Sequence, residues 1–179
     1  KKMPREKLET LYRGQHLQLM KRGHWEFADR TKGSGVVTIV AVTENDELVL
    51  TEQFRPPVQK KVVDLPAGLA GDIAGSETEA FELAAERELI EETGFAGENF
   101  EYIFSGPTSA GMVTEMIDFF LVRGVKQVAE GGGDESEDIK VHVIPLKKIG
   151  AWLKRKETSK TCVDPKVFAA MGILSLYTS

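Results

Sequence analysis

The amino-acid sequence predicts an α/β fold in which apolar strands are combined with amphipathic helices. Residues 36–42 form a nearly continuous apolar run suited to a buried strand, and residues 48–54 form the returning strand after a polar turn. Apolar residues then recur at helical spacing between 81 and 89, which is typical of a helix with one buried face. The 179 residues are enough for one domain that buries most of its apolar surface.

Two strands are expected ahead of this core. Residues 8–20 and 23–31 are predicted to form an antiparallel pair around Arg22-Gly23. We therefore divide the chain into an N-terminal strand pair, residues 1–32, and a main domain, residues 33–179.

Turn and helix signals place the remaining elements. Arg55-Pro56-Pro57 is expected to end the second strand of the core, because proline cannot donate a hydrogen bond to a sheet. A capping box at Ser76-Glu77-Thr78-Glu79 is expected to begin the first helix, and Gly94 to end it. Leu65-Pro66-Ala67-Gly68 is expected to be a short loop close to that helix. Later strands are expected over 100–105, 115–123 and 139–145, and helices near 147–155 and 165–177.

Composition and charge exclude several classes of function. A hydrophobic share of 41% with 28% charged residues is ordinary for a globular protein, and the net charge of −5 argues against a nucleic-acid partner. No apolar run approaches the ~20 residues that a membrane-spanning helix needs, so no membrane partner is expected. The single cysteine, Cys162, allows no internal disulfide. A cytoplasmic location is the default expectation, with export as the alternative if a segment ahead of Lys1 has been removed.

The most informative segment is residues 87–95, which read Arg-Glu-Leu-Ile-Glu-Glu-Thr-Gly-Phe. On a helix, Glu88, Glu91 and Glu92 stand at positions i, i+3 and i+4, so they project from one face and repel one another. Mg²⁺ is usually held by a few carboxylates together with the phosphates of its substrate. The pattern therefore predicts metal-assisted phosphate chemistry, and a solvated acidic helix face is the alternative.

This segment and its flanks resemble the signature of the Nudix hydrolases. That signature runs Gly, five residues, Glu, seven residues, Arg-Glu, an aliphatic residue, any residue, Glu-Glu, any residue, Gly and an apolar residue. Glu79 and residues 87–95 match its second half without a gap, whereas Ile73 stands where the opening glycine belongs. The loop into the helix is therefore expected to be lengthened. The resemblance implies an α/β/α sandwich with a mixed sheet and a metal-dependent hydrolase.

The resemblance also implies which residues hold the metal. Glu88, Glu92 and the Ala67 carbonyl would be ligands of Mg²⁺, or of Mn²⁺ as the alternative ion. Glu91 is a further candidate ligand and is counted among the catalytic residues. Arg87 would orient its glutamate neighbours rather than touch the substrate.

An acidic segment ahead of the late strand resembles a stretch in ADP-ribose pyrophosphatases that carries a base and a metal ligand. By position, Glu135 would be the general base and Glu137 the additional metal ligand. A solvated acidic run is the alternative.

Two further segments resemble the nucleoside diphosphate sugar hydrolase and ADP-ribose pyrophosphatase branch. Trp25 and Glu26 would face the nucleobase, Trp25 by stacking and Glu26 by accepting a hydrogen bond, while a tryptophan at a sheet rim is the plain alternative. Arg55 would grip the diphosphate with its planar guanidinium, and Arg30 would steady the same anion. A small-residue loop at 105–112, together with Glu115, is expected to border the pocket without a catalytic role.

Asp164-Pro165-Lys166 bears on the substrate. An Asp-x-Lys at this place resembles the nucleoside diphosphate sugar hydrolases, including the GDP-mannose type, and would suit sugar hydroxyls or a sugar phosphate. The alternative is structural, because Asp is a preferred N-cap and Pro is favoured at the first helical position. Hydrolysis of a GDP-mannose or ADP-sugar type substrate to a nucleoside monophosphate and a sugar phosphate is the leading expectation, and ADP-ribose is second.

A homodimer is implied, because in this branch the N-terminal strands usually cross to a second subunit and carry Trp25 and Glu26 to its site. Lys32-Gly33-Ser34-Gly35 could act as the hinge for that exchange. The competing class is a Nudix-like module that binds a nucleotide without cleaving it. The retained glutamate cluster argues against this alternative.

Overall fold

The computed structural model describes residues 6–33, 35–71, 80–133 and 138–177. The N-terminal strands form a separate antiparallel sheet with three members rather than the predicted two. The extra strand arises because the chain turns at Gly14, whose N–H donates to the Leu17 carbonyl at 2.8 Å and divides the segment expected to be one strand. The three strands are β1 (Leu8–Arg13), β2 (Leu17–Arg22) and β3 (Trp25–Arg30).

The main sheet is mixed and has nine strands among the described residues. Its continuous path runs β12-β6-β5-β4-β10-β8, with β11 beside β5, β7 beside β4 and β9 beside β10. β10 is parallel to β4 and β12 is parallel to β6, whereas the other pairings are antiparallel. The strands are β4 (Gly35–Thr43), β5 (Glu47–Arg55), β6 (Lys60–Asp64), β7 (Ala67–Ala70), β8 (Phe95–Ala96), β9 (Glu101–Pro107), β10 (Met116–Gln127), β11 (Lys140–Pro145) and β12 (Thr161–Val163).

Helices cover both faces of this sheet, as an α/β/α sandwich requires. On one face, Ala84, Ala85 and Leu89 of α1 (Phe81–Thr93) pack in a core with Val37 and Ile39 of β4. On the other face, a second core is formed by β-strand residues with α2 (Ile149–Lys156) and α3 (Pro165–Leu176). Because β4 is buried on both faces, its sequence is apolar apart from Thr38 and Thr43 instead of alternating.

Most predicted elements are found within a few residues of their expected limits. Gly94 ends α1 in the left-handed conformation, with φ of 73°, as predicted. The capping-box prediction at residues 76–79 lies outside the described residues, and α1 begins at Phe81 after Ala80. The predicted loop at 65–68 is wrong in part, because Ala67–Ala70 pairs with β4 as strand β7. None of the described helices is both long and apolar enough to cross a membrane.

Candidate active site

A cleft of about 910 Å³ lies against α1, β7 and the start of α3. It brings together side chains that are far apart in the sequence. Nine of the residues singled out from the sequence line it, namely Arg30, Arg55, Ala67, Arg87, Glu88, Glu91, Glu92, Asp164 and Lys166. Thr108 and Glu115 also line it, so the small-residue loop borders this pocket as expected.

Two of the sequence-predicted residues do not line the cleft of their own chain. Trp25 and Glu26 lie on β3 of the N-terminal sheet, where Trp25 is 55% exposed. Glu135 and Glu137 belong to positions 134–137, which lie outside the described residues, as does Glu79.

The acidic side chains of α1 differ in burial. Glu88 and Glu92, one helical turn apart, are 9% and 5% exposed, whereas the Glu91 side chain is 54% exposed. All three glutamates line the cleft, as their spacing on one face predicts. They are not equally buried on that face, because Glu91 is exposed. Burying a charged carboxylate is costly unless it is paired or coordinated, so Glu88 and Glu92 need partners.

The backbone at the start of β7 supplies part of that environment. The Ala67 N–H donates to Oε2 of Glu92 at 3.0 Å. The glycine that follows is required by contact, because a Cβ on Gly68 would lie 1.9 Å from Cδ of Glu88. The two carboxylates therefore lie directly against the backbone of residues 67–68.

Arg87 connects the glutamates to this strand. Its Nη1 donates to Oε1 of Glu88 at 2.8 Å and to Oε2 of Glu91 at 3.1 Å. Its Nη2 donates to the Leu69 carbonyl at 3.0 Å. These contacts hold Glu88 in place against β7 and are those expected of an orienting residue.

Guanidinium groups provide positive charge elsewhere in the cleft. Nε and Nη2 of Arg30 both lie 2.5 Å from Oε2 of Glu115. Arg55 is the last residue of β5, is exposed, and makes no ion pair with any residue in the described part of the chain. Glu115 was expected to border the pocket, but its pairing with Arg30 was not predicted, because the two residues lie 85 positions apart.

The start of α3 contributes a three-residue charge group. Nζ of Lys166 lies 2.8 Å from Oδ1 of Asp164 and 3.0 Å from Oδ2 of Asp64. Asp164 is also the N-cap of α3, since Oδ1 accepts from the Lys166 N–H at 2.9 Å. The structural alternative for Asp164-Pro165 is therefore confirmed, without removing Asp164 from the cleft. Asp64 was not identified from the sequence, although it directly precedes the segment that reaches the glutamates.

Burial and neighbouring charges shift the pKa values of Asp64 and Lys166. Burial raises the pKa of the Asp64 carboxyl above its ordinary range, although the nearby Lys166 ammonium acts in the opposite direction. Burial would lower the pKa of Lys166, but the Asp64 carboxylate and then Asp164 outweigh it, so the pKa of Lys166 is raised. The ammonium therefore stays charged.

The oxygen donors around Glu88 and Glu92 fit a hard divalent cation. Such ions take carboxylate and carbonyl oxygens, and Mg²⁺ usually keeps several waters and binds substrate phosphate in its remaining positions. Among the described residues, no three acidic, histidine or cysteine side chains converge on one point.

Buried carboxylates on one wall and guanidinium groups elsewhere in the same cleft suit a metal-bound phosphate anhydride. Residues 33–164 match the model of the NUDIX domain family, so the chain belongs to that family. It is accordingly a pyrophosphohydrolase, and enzymes of this family generally need a divalent metal.

Several curated proteins are similar over most of the chain. An ADP-ribose pyrophosphatase from Bacillus subtilis (strain 168) is 32% identical over 146 residues, covering 81% of this chain and 74% of that protein. A GDP-mannose pyrophosphatase from Enterobacter sp. (strain 638) is 31% identical over 134 residues, covering 70% and 67% respectively. A methanol dehydrogenase activator from Bacillus methanolicus is 28% identical over 177 residues, covering 95% and 91%.

A solved structure shows the same fold. The crystal structure of an ADP compounds hydrolase superposes with a TM-score of 0.74 over 99% of this chain and 96% of that chain, at 16% identity.

Proposed function

We propose that this protein hydrolyses the diphosphate of nucleoside diphosphate sugars of the GDP-mannose or ADP-sugar type, releasing a nucleoside monophosphate and a sugar phosphate. The observation that carries the proposal is the presence of Asp164 and Lys166 in the same cleft as Glu88 and Glu92. A carboxylate beside an ammonium offers an acceptor and a donor to the hydroxyl groups of a sugar.

ADP-ribose is an equally supported substrate. The similar Bacillus subtilis protein is an ADP-ribose pyrophosphatase, and the similar Enterobacter protein is a GDP-mannose pyrophosphatase. ADP-ribose also presents sugar hydroxyls beyond its diphosphate, so Asp164 and Lys166 suit both substrate classes.

The roles of the acidic residues follow from charge. A diphosphate resists nucleophilic attack because its own oxygens are negative. Mg²⁺, with Mn²⁺ as the alternative, would supply compensating positive charge and lower the pKa of a water when held by Glu88, Glu92, Glu137 and the Ala67 carbonyl. Glu135 is proposed to accept the proton of the attacking water. Glu91 is proposed to help hold the metal from the exposed side of the helix.

The roles of the basic residues complete the proposal. Arg55 would bind the diphosphate, since its guanidinium is free of ion pairs among the described residues. Arg30 would bind the same anion while paired with Glu115, and in the exchanged dimer proposed below this pair would join the two subunits. Arg87 would keep Glu88 in position.

The experiment is product analysis on GDP-mannose, ADP-ribose, ADP-glucose and UDP-glucose with Mg²⁺, with and without EDTA. We expect nucleoside monophosphate and sugar phosphate from at least one substrate, and no turnover under EDTA. Glu92→Gln should lower kcat by about 10²-fold or more, since it removes a charged group at the metal. Turnover that survives EDTA, or an unimpaired Glu92→Gln variant, would refute the metal-dependent mechanism. Cleavage of ADP-ribose alone would move the assignment to the second candidate.

We further propose that residues 1–32 are exchanged in a homodimer and that Trp25 and Glu26 serve the partner subunit's cleft. Supporting this, neither residue lines the cleft of its own chain, and the N-terminal sheet exposes large apolar side chains. These are Leu8, Leu11, Tyr12, Leu17, Leu19 and Trp25.

Subunit complementation tests the exchange. Trp25→Ala and Glu92→Gln variants, each weakly active alone, should regain activity when refolded together, because a mixed dimer contains one site with both residues intact. Light scattering should report a dimer for the parent protein. A monomer, or a mixture no more active than its components, would refute the exchange.

A further inference from the structure

Two aspartates are brought side by side by the pairing of β6 with β12. The strands run parallel with Val163 opposite Val63, and the Asp164 N–H donates to the Val63 carbonyl at 2.9 Å. Asp64 ends β6 and Asp164 directly follows β12, so the two carboxylates reach the same place in the cleft. Two like charges at such a place repel unless a cation lies between them.

Lys166 is that cation. Its bonds to the two aspartates leave some hydrogen-bonding groups available for a ligand. Both oxygens of Asp64 are occupied, Oδ1 by the Leu65 N–H at 2.7 Å and Oδ2 by the Lys166 ammonium. Oδ1 of Asp164 accepts from the backbone and side chain of Lys166. An ammonium has three protons, so one proton of Lys166 and Oδ2 of Asp164 have no partner among the described residues.

The charge of this group differs from that of an isolated lysine. Lys166 is positive, and two carboxylates lie within 3.0 Å of it, so its charge is already compensated. An unpaired lysine at this position would attract a phosphate. A lysine between two carboxylates instead offers a directed hydrogen bond with little net attraction for an anion.

We infer that Asp64 is a specificity-determining positioning residue, which aims and neutralises Lys166 so that the subsite accepts uncharged hydroxyl groups and rejects a distal phosphate. The inference rests on the proposed function and adds to it the exclusion of ligands whose sugar carries a second phosphate. Asp64 acts through Lys166 and does not contact the substrate.

The test uses two inhibitors that differ by one phosphate, glucose 1-phosphate and glucose 1,6-bisphosphate. Each competes with the best nucleotide sugar substrate, and the quantity measured is the ratio of their inhibition constants. The parent should bind the monophosphate more tightly. Asp64→Asn preserves the size of the side chain and removes its charge, so it should shift the ratio toward the bisphosphate by about 10-fold, the change that 1.4 kcal/mol produces.

Lys166→Gln supplies the opposite change. It leaves the two carboxylates without their cation, so the ratio should move against the bisphosphate by a similar factor. A purely structural role for Asp64 would not shift the ratio in opposite directions in the two variants. The second variant also keeps the inference testable if Asp64→Asn fails to fold.

Asp46→Asn is the matched control, because it makes the same chemical change at an exposed turn away from the cleft. Its ratio should equal that of the parent. If the parent hydrolyses nucleotide sugars but both cleft variants keep the parent ratio within twofold, this inference is overturned while the proposed function stands. If the parent hydrolyses no nucleotide sugar, the proposed function fails, and calorimetric titration of the two glucose phosphates still decides the role of Asp64.

Discussion

Gly68→Ala is expected to abolish most activity while leaving the fold intact. A Cβ at this position would lie 1.9 Å from Cδ of Glu88, and ordinary contact begins near 3.4 Å, so something must move by about 1.5 Å. Glu88 cannot turn away freely, because Arg87 holds it and the residue is 9% exposed. A displacement of about 1 Å in a catalytic group can cost about 10²-fold in rate, so we expect kcat to fall by at least that factor.

The same change should cost about 1–3 kcal/mol in the free energy of unfolding, the usual range for overpacking. The assay is steady-state hydrolysis at saturating Mg²⁺, with denaturant unfolding measured on the same preparation. Gly172→Ala is the control, because a Cβ there meets nothing within 4 Å and alanine favours a helix interior. If Gly68→Ala keeps kcat within twofold of the parent, the close approach of β7 to Glu88 is not needed for catalysis and the reasoning is wrong.

Two more predictions concern the C-terminal end of α1 and a partly buried histidine. Gly131→Ala should lower both stability and kcat, because its Cβ would lie 2.3 Å from a backbone carbon of Thr93. Gly124 has the same φ of 71°, but a Cβ there would meet only Cγ of Glu44 at 3.9 Å, which is an ordinary contact, so Gly124→Ala should show only the backbone strain in its melting temperature. Burial lowers the pKa of His142 below its ordinary 6.5, and its bond to Glu52 offsets this only in part. The unfolded chain therefore binds that proton first, so the free energy of unfolding should fall as the pH drops below 6.5 toward the lowered value. Denaturant unfolding of parent and His142→Gln protein between about pH 7.5 and pH 5.5 checks this, and parallel curves would contradict it.

Local patterns in the sequence were sufficient for the elements whose signals are periodic. The apolar run of β4 and the helical stripe of α1 each predicted a buried element, and both are present. The start of β7, residues 67–68, was assigned to a loop, because Pro66 and Gly68 are residues typical of turns. Its strand character comes from pairing with Gly35–Thr38, a long-range contact that no local pattern encodes.

The same limit applies to the cleft. The glutamates of α1 were found because their spacing is local and their charges are mutually unfavourable without a cation. Asp64 was missed, and the pairing of Glu115 with Arg30 was not predicted, because the partners are distant in sequence: Asp64 bonds to Lys166, and Glu115 lies 85 residues from Arg30. Such pairs are created by strand order, which a single sequence does not reveal.

One short segment sets the distance between the two chemical ends of the cleft. Asp64 holds Lys166 at one end, Gly68 accommodates Glu88 at the other, and Leu65 between them is 1% exposed in the core under α2 and α3. Four residue steps of extended chain span at most about 13 Å, so the backbone of residues 64–68 limits how far the contact with Lys166 can lie from the contact with Glu88. Substrates should therefore be distinguished by the distance between their diphosphate and their terminal hydroxyl groups. Leu65 is buried in the core, so a substitution that displaces residues 64–68 would move the contacts with Lys166 and Glu88 together. Both kcat and the selectivity for the sugar should then change.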